Sequence, residues 1–200
     1  TVAFNSAFTT LGLTNDLTKG MIDRFRSLPM SRLAVILGRT ASDLAVTAVT
    51  LTIMTLTGLA VGWRIQGSLL GAVLGYLLLL FFAFAMSWIG AFIGLLCRTV
   101  EVAQSAGLLW LFPVSFVANV FVSAQTLPGP LRAFAEWNPI SAVATTTRAL
   151  FGNPVEPPGI GPATGWPAEH AALYAVLTSV AIIAVFMPLA LARYRRIAAH

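Results

Sequence analysis

Long apolar runs separated by short polar links dominate this chain. Crossing the hydrocarbon core of a bilayer takes about 20 residues of apolar helix. Four runs reach this length, at residues 41–63, 67–97, 102–124 and 171–192, and residues 1–13 resemble the tail of another. Backbone groups in lipid need hydrogen-bond partners within their own segment, so these runs are expected to be helices. The pattern therefore predicts an all-α, polytopic transmembrane helix bundle with five visible spans, the first of them truncated.

The connection between the last two runs has its own organisation. Leu127–Pro130 predicts a turn, because proline fixes φ and glycine permits positive φ. Short helices are expected at 130–137 and 139–151, separated by a break at Asn138-Pro139. The second is too short and too polar to cross a bilayer, so it should lie at the outer face or dip partly into it. The Pro- and Gly-rich stretch 153–168 predicts an irregular loop.

Composition supports a membrane location. Hydrophobic residues make up 58% of the 200 residues and charged residues only 10%, against about 25% charged in soluble domains. The net charge of +5 comes from basic clusters that flank the apolar runs. Such clusters favour cytoplasmic flanks of membrane helices over nucleic-acid binding. The single cysteine, Cys97, cannot form an intrachain disulfide.

The basic residues also predict an orientation. Alternate connections place nine Lys and Arg on one side of the membrane and three on the other. The richer side includes the loop 14–40 and the C-terminal tail, so both are expected in the cytoplasm. The connection 125–170 then faces outward.

The sequence lacks the residues for a self-contained catalytic site. A phosphate-binding loop ends in Gly-Lys-Ser/Thr, but the only lysine lies in the reversed order Thr18-Lys19-Gly20. His170 and His200, at a loop end and the terminus, do not assemble into a metal site or triad. We therefore expect no enzyme activity, and no cofactor or metal bound by this chain.

Polar residues within the predicted spans allow more than one interpretation. Asp43 lies four residues after Arg39, a spacing that favours a helical ion pair over a proton relay. Asn119 follows Pro113 and Ser115 in the fourth run, and these three residues form a candidate pathway or packing site. An asparagine inside the membrane either belongs to a functional site or hydrogen-bonds to a neighbouring helix. The sequence leaves both interpretations open.

Glycines four residues apart recur along the spans and are candidates for close helix packing. The pairs are Gly58 with Gly62, Gly67 with Gly71, Gly71 with Gly75, and Gly90 with Gly94.

The charged stretch 15–32 is the largest feature of the predicted cytoplasmic side. It suits a short surface helix before Pro29, on which Phe25 and Leu28 are available to a partner's groove. An ordinary interfacial helix beside a membrane span is the alternative.

Two blocks of sequence resemble one family. Lys19-Gly20, then Asp23 to Arg32 (DRFRSLPMSR), resembles the cytoplasmic loop of ABC type-2 exporter permeases, particularly daunorubicin-resistance-like drug exporters of actinobacteria. Phe121-Val122-Ser123, Leu127 to Arg132, Asn138-Pro139 and Arg148 to Gly152 are similar to the outer segment before that family's last helix. The blocks occur in the same order as in the family, so the resemblance covers nearly the whole chain.

The resemblance implies a single permease domain over 1–200, with a cytoplasmic coupling loop at 14–32 and an outer helical segment at 128–152. The ATPase-coupling residues it implies are Asp23, Arg24, Phe25, Arg26 and Leu28, and those of the outer segment are Pro128, Arg132, Asn138, Pro139 and Arg148. The family begins with an elbow helix and a first span. We therefore expect this sequence to start inside a longer protein with six spans.

The implied function is ATP-driven export of hydrophobic or amphipathic small molecules across a bacterial plasma membrane. ATP and Mg²⁺ would bind a separate ABC ATPase, and a second permease copy, in a homodimer, would complete the pathway within the membrane lipid. Lipid or polysaccharide export, an ATPase-independent transporter and an assembly factor are the alternatives.

Overall fold

The computed structural model describes residues 2–19, 32–118, 127–153 and 165–197, and every regular element within these ranges is a helix. The predicted all-α class is confirmed. In chain order the helices are α1 (Asn5–Thr18), α2 (Arg32–Val61), α3 (Leu69–Gly94), α4 (Val100–Phe116), α5 (Gly129–Glu136), α6 (Pro139–Leu150), α7 (Trp166–Glu169) and α8 (Ala171–Ile197).

Three of the described helices are long and apolar enough to cross a membrane. They are α3 and the segments Leu37–Val61 of α2 and Ala171–Arg196 of α8. These match the predicted runs at 41–63, 67–97 and 171–192. The other two predicted spans correspond to shorter helices, α1 with 14 residues and α4 with 17. Residues 119–124 of the predicted run 102–124 lie outside the described residues.

Helix α2 begins earlier than its apolar run predicts. It starts at Arg32, nine residues before Ala41. Arginine interrupts an apolar run but is itself a good helix former, so the helix extends beyond the run. Helix α1 likewise continues to Thr18, so residues 14–18 of the predicted coupling loop are helical. Residues 20–31 of that loop lie outside the described residues.

The end of α2 explains one of the glycine pairs. Trp63 N–H donates to the Gly58 carbonyl at 2.9 Å, and Gly62 N–H donates to the Leu59 carbonyl at 3.2 Å. With Gly62 at φ +107°, this is a Schellman cap, which needs a left-handed residue after the helix. Gly58 and Gly62 therefore end α2 rather than pack against another helix.

Helix α7 lies in the stretch predicted to be irregular. Its four residues begin at Trp166, with Pro167 in the first turn, where the missing proline N–H is not needed. Residues 154–164 of the same stretch lie outside the described residues.

The chain divides into two compact units. Unit 1 comprises Thr1–Val49, Ala83–Leu111 and Val180–His200, and unit 2 comprises Thr50–Phe82 and Phe112–Ser179. The apolar core of unit 1 is formed by α1, α3 and α8. Its buried residues are Leu13, Trp88, Ala91, Leu95, Ala190 and Tyr194.

Candidate functional site

The segment that the sequence predicts to lie at the outer face belongs to unit 2 and begins with α5. Pro128 precedes the helix, and Gly129 and Pro130 form its first residues. Arg132 pairs with Glu136 one turn later, at 2.8 Å between Nε and Oε1. The two charges therefore lie together on one side of α5, whereas Leu131 and Phe134 are exposed.

Asn138 joins two helices of this unit. Its Oδ1 accepts a hydrogen bond from Ile140 N–H at 2.9 Å, which caps α6, and Pro139 occupies the first turn. Its Nδ2 donates to the Val114 carbonyl of α4 at 2.6 Å. The side chain is 2% exposed, so both ends of the buried amide are paired.

The Val114 carbonyl is available because α4 ends there. Pro113 lies inside the last turn, and Ala118 N–H donates to the Ser115 carbonyl at 3.3 Å rather than to Val114. The Ser115 hydroxyl is buried and has no hydrogen-bond partner among the described residues. Of the three candidate pathway residues, Pro113 and Ser115 therefore lie beside the α6 cap, and Asn119 lies outside the described residues.

The other end of α6 packs against the start of α3. The Phe151 carbonyl accepts hydrogen bonds from Gln66 N–H and Gly67 N–H, both at 2.9 Å. A Cβ on Gly67 would lie 2.5 Å from the Leu150 carbonyl oxygen, and one on Gly71 would lie 2.6 Å from it. We call this set, Gln66, Gly67, Gly71, Leu150 and Phe151, the Phe151 contact.

Aromatic packing completes the Phe151 contact. The Phe151 ring lies 5.7 Å from Trp63 and 5.5 Å from Tyr76 between centroids. A Cβ on Gly75 would lie 2.7 Å from the Phe151 ring. Gly67, Gly71 and Gly75 thus have the packing role that their spacing predicts, with a helix end and a ring as partners. Arg148 lies in the last turn of α6, two residues before Leu150.

In unit 1, α1 packs closely on α3. The Thr10 hydroxyl shares its proton between the Gly90 carbonyl of α3 and the Ser6 carbonyl of its own helix, both at 3.0 Å. The Thr14 hydroxyl is likewise shared between the Gly94 carbonyl at 3.0 Å and the Thr10 carbonyl at 2.9 Å. A Cβ on Gly94 would lie 2.9 Å from the Thr10 carbonyl oxygen, and one on Gly90 would overlap the Ser6 carbonyl. The predicted packing role of this glycine pair is confirmed. We call the residues Ser6, Thr10, Thr14, Gly90 and Gly94 the α1–α3 contact.

A charged cluster links α1 and α2 within unit 1. Arg39 Nη1 lies 3.4 Å from Asp16 Oδ2, and Arg39 Nε lies 3.4 Å from Asp43 Oδ1. The ion pair of Asp43 with Arg39 is confirmed. Its extension to Asp16 joins two helices.

Two of these features were missed by sequence reasoning. Ser6, Thr10 and Thr14 recur every four residues, which would have indicated a polar face on α1 matching Gly90 and Gly94. The approach of Asp16 to Arg39 across 23 residues leaves no comparable pattern. The predicted coupling residues Asp23, Arg24, Phe25, Arg26 and Leu28 lie outside the described residues.

The long apolar helices, with polar groups paired at their contacts, define a multi-pass helical membrane protein. Residues 1–151 match the ABC-2 type transporter family, and the chain belongs to this family. It is 33% identical over 199 residues to the daunorubicin resistance ABC transporter permease protein DrrB1 of Streptomyces coeruleorubidus. The match covers 100% of this chain and 66% of that protein, so the chain spans just under two thirds of its relative's length. No solved structure matches the chain.

Proposed function

We propose that this chain is the membrane-spanning part of an ABC exporter that moves hydrophobic or amphipathic small molecules out of the cell. One observation carries the proposal: the similarity to a drug-resistance permease extends along the whole chain. Three apolar helices of spanning length agree with a transport subunit. The cargo class is inferred from the relative's name.

The energy source in this proposal is a separate ABC ATPase. The sequence contains no Gly-Lys-Ser/Thr phosphate-binding motif, so ATP hydrolysis would have to act on this chain through a protein contact. The coupling loop 14–32 is the best candidate for that contact, because it is the longest polar connection on the predicted cytoplasmic side. A second copy of the permease would complete the pathway.

Phe25 and Leu28 are the residues of the loop expected to anchor the ATPase, with Asp23, Arg24 and Arg26 as a charged rim. Buried aromatic anchors commonly dominate interface energies, whereas rim charges contribute less and respond to salt. Substituting both anchors with alanine should therefore weaken ATPase binding by about thirtyfold or more. Arg24→Glu should weaken binding less, and more at low salt than at high salt.

The experiment uses the full-length permease co-expressed with a candidate ABC ATPase subunit from the same organism. Pull-down of the ATPase and efflux of daunorubicin, the drug in the relative's name, are measured for the Phe25→Ala, Leu28→Ala double variant. The matched control is Leu131→Ala, Phe134→Ala on α5, which removes an exposed Phe and Leu at the same spacing of three. Both permeases must be present in the membrane at the wild-type level.

We expect the loop variant to lose the ATPase and efflux, while the α5 control keeps both. Because the ATPase is cytoplasmic, loss of binding also supports a cytoplasmic loop and C-terminus. Unchanged pull-down and efflux in the loop variant would exclude this coupling role. Efflux by the wild-type permease without the ATPase would favour an ATPase-independent transporter.

A further inference from the structure

Arg39 lies between two carboxylates that belong to different helices. Its guanidinium is 3.4 Å from Asp16 of α1 and 3.4 Å from Asp43 of α2, with side-chain exposures of 29%, 28% and 13% for Arg39, Asp16 and Asp43. Partly buried charges of opposite sign attract more strongly than charges in water, because the surroundings are less polarisable. We call these three residues the Arg39 cluster.

Gly12 provides the space that the Arg39 side chain occupies. A Cβ at Gly12 would overlap the guanidinium, and its third-nearest atom, Nη1, would still be only 2.7 Å away. The Arg39 side chain therefore crosses the surface of α1 at Gly12, the one position where that helix has no side chain. Any larger residue at position 12 must displace the guanidinium from its place between the carboxylates.

A second polar contact joins the same two helices. Asn5 Nδ2 donates to the Thr47 hydroxyl at 2.7 Å. Asn5, near the start of α1, pairs with Thr47, whereas Asp16, near the end of α1, pairs with the earlier residue Arg39 of α2. The two helices are therefore antiparallel. The two contacts are separated by about 12 Å along α2, at 1.5 Å per residue. Two fixed points at this separation restrict both sliding and splaying of the helix pair.

The charge balance makes the central position of Arg39 important. The cluster contains two carboxylates and one guanidinium, so displacement of Arg39 leaves Asp16 and Asp43 without the positive charge between them. Like charges in partly buried surroundings repel. Loss of the bridge would therefore remove the attraction that holds the ends of α1 and α2 together.

We propose that the Arg39 cluster locks α1 and α2 into one rigid pair, so that a displacement of the loop joining them moves both helices together. The inference rests on the proposed function, in which an ATPase acts on that loop. Helix α1 ends at Thr18 and α2 begins at Arg32, so the cluster lies near both ends of the connection. Arg39 is a positioning residue in this scheme, and it contacts neither ATPase nor cargo.

The central test is Gly12→Ala, which displaces the guanidinium without changing any charge. Gly38→Ala is the matched control, because a Cβ there has no atom of the described residues within 4 Å. Spin labels at Thr18→Cys and Leu37→Cys, two exposed positions of α1 and α2, report the distance between the helices in a Cys97→Ser background. The second readout is the amount of daunorubicin exported per ATP hydrolysed by the complex.

We expect Gly12→Ala to broaden the distance distribution and to lower export per ATP by about threefold to tenfold. ATPase binding should be retained, and Gly38→Ala should match the wild type in both measurements. A role in folding alone would change the amount of permease in the membrane without changing this ratio.

Two results would overturn the lock. An unchanged distance distribution in Gly12→Ala would show that the cluster does not hold the two helices together. A broadened distribution with normal export per ATP would show that holding the helices together is not needed to couple ATP hydrolysis to export. If Gly12→Ala fails to insert, Asp16→Asn, which removes one carboxylate at nearly constant volume, decides by the same two readouts. Failure of the wild-type permease to bind an ATPase would refute the proposed function instead, and the spin-label distances would still test the lock.

Discussion

The α1–α3 contact of unit 1 and the Phe151 contact of unit 2 both bring backbones close at glycine, but by different means. In the first, two threonine hydroxyls donate to glycine carbonyls along a helix pair. In the second, two backbone N–H groups donate to a single carbonyl at a helix end. The first contact can thus be recognised from residue types on both helices, threonine on α1 and glycine on α3. The second depends on backbone geometry, which residue types indicate poorly.

The difference predicts how each contact fails. A helix pair can respond to an added side chain only by separating along its length, because two regular backbones oppose each other. A helix end can respond by a local change of the turn. We therefore expect the larger loss of stability from crowding the α1–α3 contact.

The largest expected effect is that of Gly90→Leu. Its Cβ alone would overlap the Ser6 carbonyl, which is backbone and cannot rotate away. Overpacking commonly costs about 1–3 kcal/mol, and a clash with backbone should cost at least about 3 kcal/mol. For a chain of this size we expect a fall in Tm of about 6–12 °C in detergent. Gly38→Leu, at an open position of α2, should change Tm little, and equal shifts in both variants would refute close packing at Gly90.

Gly152→Ala should have an intermediate effect on the Phe151 contact. Gly152 has φ +71°, and an added Cβ would lie 2.7 Å from the Gln66 carbonyl carbon. The left-handed backbone costs about 1–2 kcal/mol for alanine, and crowding adds to this cost, so we expect a Tm lower by about 4–8 °C. Gly62→Ala has a positive φ of +107° but no neighbour within 4 Å. If Gly62→Ala lowers Tm as much as Gly152→Ala does, crowding contributes nothing at Gly152.

The smallest effect is expected from Thr10→Val with Thr14→Val. Valine keeps the shape of threonine and removes only the hydroxyl, and hydrogen bonds between membrane helices contribute about 0.6 kcal/mol each on average. The double variant should lose about 2–5 °C in Tm. Thr57→Val is the control, since its exposed hydroxyl donates to the Ile53 carbonyl of its own helix. A double variant as stable as this control would show that the two glycine carbonyls gain nothing from the threonines.

Sequence reasoning succeeded where the signal is local. The apolar runs predicted α2, α3 and α8, and the Asn138-Pro139 break predicted the start of α6. The spacing of Arg39 and Asp43 predicted their ion pair. Each depends on residues close in the chain or on total hydrophobicity.

The remaining features depend on tertiary geometry. Gly12 has no glycine partner four residues away, and its role appears only when the Arg39 guanidinium lies across it. Phe151 accepts from Gln66 and Gly67, 85 and 84 residues earlier in the chain, through backbone groups that every residue except proline possesses. No pattern of residue types could have indicated that pairing.

The hydrogen bond from Asn138 to Val114 has a consequence for biosynthesis. The two residues are 24 positions apart, and ribosomes add about 5–20 residues each second. For about 1–5 s after Val114 is made, its carbonyl must therefore do without the amide that pairs it in the finished protein. The last turn of α4 can acquire its final hydrogen bonds only after the start of α6 has been synthesised, so this part of the membrane bundle matures late.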